Sequence, residues 1–273
     1  MKKLLFITWS VSYGYGTEKS LADVLNRMDR TKYDIHVLPL FKNAETTIFH
    51  ENIKILDSLI DYTQEHFDEE KALNDYYSLL GNPLRFNKRI QEKYDCIIAC
   101  NHNAPSYFAS YIKGGCKILW IRGDMRELDY KQFPANTTQY KQVKQEYEMQ
   151  ANVLKCFDAI AVISDVVQQT LAELFGITEN VVKISNSVDR EKIQVLSREP
   201  MEFPSQAVFT TLGRLDYNKN QLLLLKAAKE VKKHRDDFMV YILGEGEDRP
   251  KLERYIQEND LQVNAKILGF IEN

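Results

Sequence analysis

From Met1 to about residue 60 the chain alternates a short apolar run with an amphipathic one, the pattern that builds a parallel sheet crossed by helices. Lys2 to Trp9 predicts a first buried strand. Thr17 is placed to cap a helix whose apolar residues Leu21, Val24, Leu25 and Met28 recur at i, i+3, i+4 and i+7, one continuous stripe. Asp34 to Leu40 then predicts the second strand.

The alternation persists beyond an acidic, Tyr-rich stretch, Gln64 to Tyr77, that is expected to be helical and to end before the break at Gly81-Asn82-Pro83. Strands are predicted at Tyr94–Cys100, Cys116–Ile121, Asp158–Ser164 and Val181–Ser185. Helices fill Ala104–Lys113, Thr138–Cys156 and a run to Phe175 that Gly176 closes. Pro200 and Pro204 bracket a polar segment, Ser197 to Ser205, that reads as a linker. Past it, strands at Ala207–Leu212, Phe238–Leu243 and Val263–Leu268 alternate with helices at Lys219–His234 and Glu247–Asn259. The expected organisation is an α/β chain of two Rossmann-like, doubly wound parallel-sheet units, 1–197 and 205–273. The second is expected to be incomplete, because three strands make only half of such a domain.

Composition narrows the function classes. With 44% hydrophobic and 27% charged residues the chain has a globular make-up, and a net charge of −3 lacks the basic footprint of nucleic-acid binding. The apolar run after Met1-Lys2-Lys3 is too short for a signal segment or a membrane span. Cys96, Cys100, Cys116 and Cys156 form no CxxC pair, so free thiols packed in the core of a cytoplasmic protein are expected.

The strongest chemical signal is Thr210-Thr211-Leu212-Gly213-Arg214-Leu215-Asp216-Tyr217-Asn218-Lys219-Asn220. It sets Arg214 at the carboxyl end of a strand and Lys219 at the mouth of the next helix, where ligands bind open α/β sheets and the helix dipole adds to both cations. A pyrophosphate suits that field. By spacing alone a solvated loop with two ordinary basic residues is the commoner reading. A second strand then ends in Leu243-Gly244-Glu245-Gly246, where glycines permit close backbone approach.

Together with Ile267-Leu268-Gly269-Phe270, these segments resemble the donor domain of family 4 glycosyltransferases, which have the GT-B fold. The amino-terminal unit is similar too. Tyr15-Gly16-Thr17-Glu18-Lys19 resembles the family's GGxE loop with Tyr15 in place of the first glycine. Trp120-Ile121-Arg122 resembles a segment that usually reads Trp-Ile-His, and Ser185-Asn186-Ser187-Val188-Asp189 resembles an NGVD stretch. The resemblance implies retaining transfer of a sugar from a nucleoside diphosphate donor to a polysaccharide, lipid-linked or other glycan acceptor. Gly213, Arg214, Lys219, Gly244, Glu245, Gly246 and Phe270 would hold the donor, with Arg214, Lys219 and Arg122 stabilising the leaving group. No metal is expected, since no Asp-x-Asp occurs. Gly14, Gly16, Glu18, His102 and Asn186 fall on the expected acceptor side, with His102 more a hydrogen-bonding loop residue than a base. The family's paired-glutamate motif would lie beyond Asn273, so the chain is expected to be truncated before it.

Three other readings compete. A nicotinamide enzyme is disfavoured because Lys19 stands where a third glycine belongs, and zinc hydrolysis because His36, His50, His66, His102 and His234 are scattered without HExxH. A non-catalytic binding protein that retains only the acceptor-side unit is the rival from another class. Peripheral contact with a membrane's inner face is a further expectation, from Lys141, Lys144 and Lys155, offset by Glu146 and Glu148.

Overall fold

The computed structural model describes residues 1–11, 16–42, 48–63, 68–199 and 206–271. They divide into two compact units, Met1–Ile193 and Gln194–Asn273. The first unit opens β1 (Lys2–Thr8), α1 (Gly16–Leu25), β2 (Tyr33–Pro39), β3 (Phe41–Lys42), β4 (Lys54–Ile55) and β5 (Ile60–Asp61). It continues with α2 (Glu69–Leu80), α3 (Pro83–Asn87), β6 (Cys96–Ala99), α4 (Ala104–Tyr111), β7 (Cys116–Ile121) and, after two single 3-10 turns, α5 (Thr138–Leu154). The series closes with β8 (Ala159–Val162), α6 (Asp165–Phe175), β9 (Val181–Lys183) and α7 (Arg190–Leu196), whose end crosses into the second unit.

Seven parallel strands form the main sheet in the order β4-β2-β1-β6-β7-β8-β9. The chain winds outward from β1 in one direction through β2 and β4, then returns to β1's other side at β6, so the doubly wound expectation holds. Winding reverses between β1 and β6, and such a reversal opens a crevice at the carboxyl ends of the strands. The strands read as continuous apolar runs because both faces are covered. Leu5 and Ile7 of β1 enter a core with Ile97, Phe108, Leu119 and Ile121, while Leu4 and Phe6 enter another with Leu21, Leu25, Ile98 and Trp120.

Local chemistry sets several helix ends. Asp68, Asn82, Thr137 and Ser164 each accept a backbone N–H three residues on, from Lys71, Arg85, Tyr140 and Val167. Gly176 closes α6 at φ +67°. Thr17, however, is not a cap. It lies inside the first turn of α1, and its hydroxyl donates to the Glu18 carboxylate at 2.6 Å. Helix α7 was not expected; Asp189 accepts the Lys192 N–H at 2.9 Å across its start. The first part of the Tyr-rich stretch, 64–67, lies outside the described residues, as do Gly14 and Tyr15 of the first loop and residues 200–205 of the linker.

In the second unit β10 (Ala207–Leu212), α8 (Gln221–Lys232), β11 (Phe238–Leu243), α9 (Arg249–Glu258) and β12 (Ala265–Gly269) make a parallel sheet in the order β10-β11-β12. Both helices start two residues later than the sequence suggests. Gln221, Leu225 and Ala228 of α8 and Leu252 and Ile256 of α9 form buried stripes. The apolar members pack with Leu215, Val240, Ile242 and Leu261.

Candidate functional site

The second unit gathers its candidate residues where β10 and β11 end. Gly213 still pairs with β11, its N–H bonding to Leu243 O at 3.0 Å, and the chain then turns toward α8. Asp216 organises this turn with both carboxylate oxygens. One lies 2.8 Å from the Arg214 guanidinium, and the other accepts the Lys219 backbone N–H at 3.1 Å. The methylenes of Lys219 run beside Gly213, where a Cβ would meet them at 3.7 Å. Asp216 therefore holds the Arg214 guanidinium and the backbone of Lys219, and both basic side chains are exposed to solvent. Gln221, at the first position of α8, is buried and donates to Arg214 O at 2.8 Å.

The glycines of the β11 loop bring loop against loop. A Cβ on Gly244, at φ +135°, would sit 2.0 Å from Gly213 O, and one on Gly246 would sit 2.3 Å from Leu215 O. Hydrogen bonds close the same contact, from Leu215 N to Glu245 O at 2.9 Å and from Asp248 N to Leu215 O at 2.9 Å. Gly244 N in turn donates to Gly269 O at 2.7 Å, so the ends of all three strands are joined. Glu245 pairs with Arg249, which also holds Glu253 at 2.8 Å; Phe270 is exposed just past β12.

In the first unit Glu18, His102, Arg122 and Asn186 all lie beyond carboxyl ends of strands of one sheet. Glu18 follows β1 and His102 follows β6, on the two sides of the winding reversal. Asn186, exposed after the edge strand β9, stands apart from them.

Arg122 is 6% exposed and stacks its guanidinium 4.7 Å from the Trp120 ring centroid. Its Nε and Nη2 are buried with no hydrogen-bond partner among the described residues. Burial pulls its pKa below the ordinary guanidinium value, while Cys100 and the buried Glu18 act in the opposite sense. A buried cation with two unsatisfied N–H groups is costly, and its Nε–Nη2 edge is the shape that a carboxylate or phosphate accepts. The Arg122 backbone N–H donates to Asn101 Oδ1 at 3.3 Å. That same oxygen lies 3.1 Å from His102 Nδ1, and His102 Nε2 lies 2.9 Å from Glu127 Oε1. His102 is thus clamped at both ring nitrogens.

Residues 193–273 match the family model described as glycosyl transferases group 1. That segment contains the Arg214–Lys219 loop and its glycine partners. Over that segment the chain is similar to the group 1 glycosyl transferases. An uncharacterized glycosyltransferase of Methanocaldococcus jannaschii is 31% identical over 163 residues, which is 57% of this chain and 38% of that relative's length.

Solved structures extend the likeness from the group 1 segment to the rest of the chain. Anabaena HepE in complex with UDP and glucose matches 100% of this chain and 70% of its own, at 18% identity and a TM-score of 0.66. TarM matches with a TM-score of 0.68 at 11% identity, covering 100% of this chain and 77% of its own. Sucrose-phosphate synthase from Thermosynechococcus elongatus gives a TM-score of 0.67 at 12% identity, with 100% and 71% covered. At these identities the likeness establishes the fold: α/β units with parallel sheets, as in the GT-B glycosyltransferases.

Asp216, Asn101, Trp120 and Gln221 carry the geometry beside the group 1 segment's cations and the first unit's arginine, and none was assigned a role from the sequence. The signal for Asp216 was present, since an acid three residues before Lys219 is a capping pattern. Among the described residues no group of three or more His, Cys, Asp or Glu is placed to hold a metal ion, and no helix is long and apolar enough to cross a membrane. Lys144 of α5 is 3.8 Å from Glu148 and 5.9 Å from the Tyr130 ring centroid.

Proposed function

We propose that the second unit binds the diphosphate of a nucleoside diphosphate sugar on the Arg214–Lys219 loop. The sugar is then transferred, with retention of anomeric configuration, to a polysaccharide, lipid-linked or other glycan acceptor. One observation carries the reading: two exposed basic side chains stand on the loop that enters the amino end of α8, where Asp216 pairs with the Arg214 guanidinium and accepts the backbone N–H of Lys219. There the aligned peptide dipoles add positive potential to the two side chains.

In such a transfer the bond from the anomeric carbon to the diphosphate oxygen breaks, and negative charge grows on the leaving group. Arg214 and Lys219 spread that charge, which lowers the barrier only insofar as the transition state is held more tightly than the bound donor. Arg122 offers a second, buried guanidinium for an anionic group of a substrate on the first unit. HepE was solved with UDP and glucose, which favours a uridine donor here. Acceptor binding falls to the rim around Glu18 and His102. Weak peripheral membrane contact through α5 completes the reading.

Calorimetric titration of the chain with uridine and guanosine diphosphates tests the donor site. Binding is expected, and Arg214→Ala with Lys219→Ala is expected to weaken it at least about tenfold, because charge-assisted bonds are strong. Undiminished affinity in the double variant overturns the proposal. No heat with either nucleotide leaves a binding module built on the first unit as the better account.

A further inference from the structure

The four cysteines do not all pack in the core as the sequence suggested. Cys100 is buried and Cys96 half-buried, but Cys116 and Cys156 are exposed. Cys96 and Cys116 are direct register partners at the starts of the parallel strands β6 and β7. Neighbouring strands run about 4.8 Å apart, inside the roughly 4.4–6.8 Å between Cα atoms that a disulfide spans. Side chains alternate along a strand, so Cys96 shares a face with Ile98 and Cys100, and Cys116 shares the same face with Ile118 and Trp120.

Backbone geometry holds this pairing in place. Gly114 and Gly115 turn the chain at φ +78° and +72°, and a Cβ on Gly115 would meet Tyr94 O at 2.6 Å. The Cys116 N–H donates to Asp95 O at 2.9 Å, the residue just before Cys96. The juxtaposition therefore follows from turn and register and does not depend on a side-chain rotamer.

We propose that Cys96 and Cys116 are a redox modification site, closing to a reversible intramolecular disulfide at the amino ends of β6 and β7, opposite the His102 and Arg122 rim. The oxidant is a low-molecular-weight disulfide such as glutathione disulfide. Exposed Cys116 loses its proton and attacks one sulfur of the oxidant, forming a mixed disulfide and expelling the first thiolate. Cys96 then loses its proton and attacks Cys116 Sγ, releasing the second. Two protein thiols and one disulfide become one protein disulfide and two small thiols, with two electrons passed to the oxidant.

Burial is the first cause that pushes the Cys96 thiol up to about 12, with Cys116 the second. Cys96 is thus the slow, resolving partner, and closure should speed up about tenfold per pH unit across the neutral range. This inference is independent of the proposed transferase reading.

The test exposes the native chain to glutathione disulfide, quenches in acid, and reads intact mass and peptide maps. Wild type is expected to map a Cys96–Cys116 disulfide, with two hydrogens lost from that pair and no glutathione on either residue, any retained glutathione being confined to exposed Cys156. Cys96→Ser is expected to stop with one glutathione on Cys116, and Cys156→Ser to close as wild type does. A wild-type chain that stops as the mixed disulfide, or a bond that maps to Cys156 or Cys100, overturns the proposal. The wild-type map decides the matter even if a serine variant folds poorly.

Discussion

Asp216 and Arg214 form a 2.8 Å ion pair in which the acid's side chain is 13% exposed and the base's 59%. The acid is rooted in the loop and the base faces solvent. This arrangement orients a cation while taxing its affinity for anions, because a bound diphosphate must share Arg214 with a carboxylate.

Asp216→Asn removes that competing charge and keeps an oxygen for the Lys219 N–H. The variant is expected to bind uridine diphosphate about 1.5-fold to fivefold more tightly at low salt, the range of an exposed ion pair's worth. Calorimetry on the folded variant reads it. Weaker or equal binding would show that the acid's part is positional alone.

Arg122→Met separates stability from function. Two buried N–H groups without partners among the described residues lower the stability of the native state, and an apolar side chain of similar length removes that cost. Thermal unfolding is expected to shift upward or stay level, while sugar transfer or acceptor binding falls at least about tenfold. A destabilised variant with full activity would mark Arg122 as structural.

Gly244→Ala introduces a Cβ 2.0 Å from Gly213 O at φ +135°. Strain and clash together are expected to destabilise the second unit by roughly 2–4 kcal/mol. Denaturant unfolding followed by a probe in that unit checks it, and nucleotide affinity should fall in parallel. An unchanged unfolding midpoint would mean that the loops part freely.

Glu92 provides a pH test in the first unit. Hydrogen bonds from Lys3 and Lys54, the latter at 2.7 Å, hold its carboxyl down at about 2, below the usual carboxylate range. A depressed pKa stabilises the fold above the unfolded value near 4.5, and the contribution is lost as pH falls from there toward 2. Glu92→Gln is therefore expected to melt about 2 °C below wild type at pH 7, a small shift because the pair is partly exposed. The two curves should converge by the acid end. A gap that stays constant with pH would remove the ion pairs as its source.

Elements read most accurately from the sequence are those where burial on both faces leaves an unbroken apolar run. Cys116–Ile121, Ala207–Leu212 and Phe238–Leu243 were placed at their observed bounds. Strands β3, β4 and β5 escaped notice, since two residues show no period. Helix α7 escaped because none of its residues is buried, so no apolar stripe announced it. In the candidate site the glycines at 244 and 246 were legible as positions of close approach. What they approach, Gly213 and Leu215, lies some thirty residues away along the chain and in contact only after the sheet pairs.

Apolar periodicity and turn chemistry by themselves determined the strand and helix alternation, the parallel sheets, and the loop bearing Arg214 and Lys219, because those signals are local. Only tertiary structure decided that Arg122 is a buried cation on Trp120, that Gly244 lies against Gly213, and that Cys96 meets Cys116. Each of those facts depends on which strand lies beside which, and burial and pairing between distant residues are set by packing that no local pattern records.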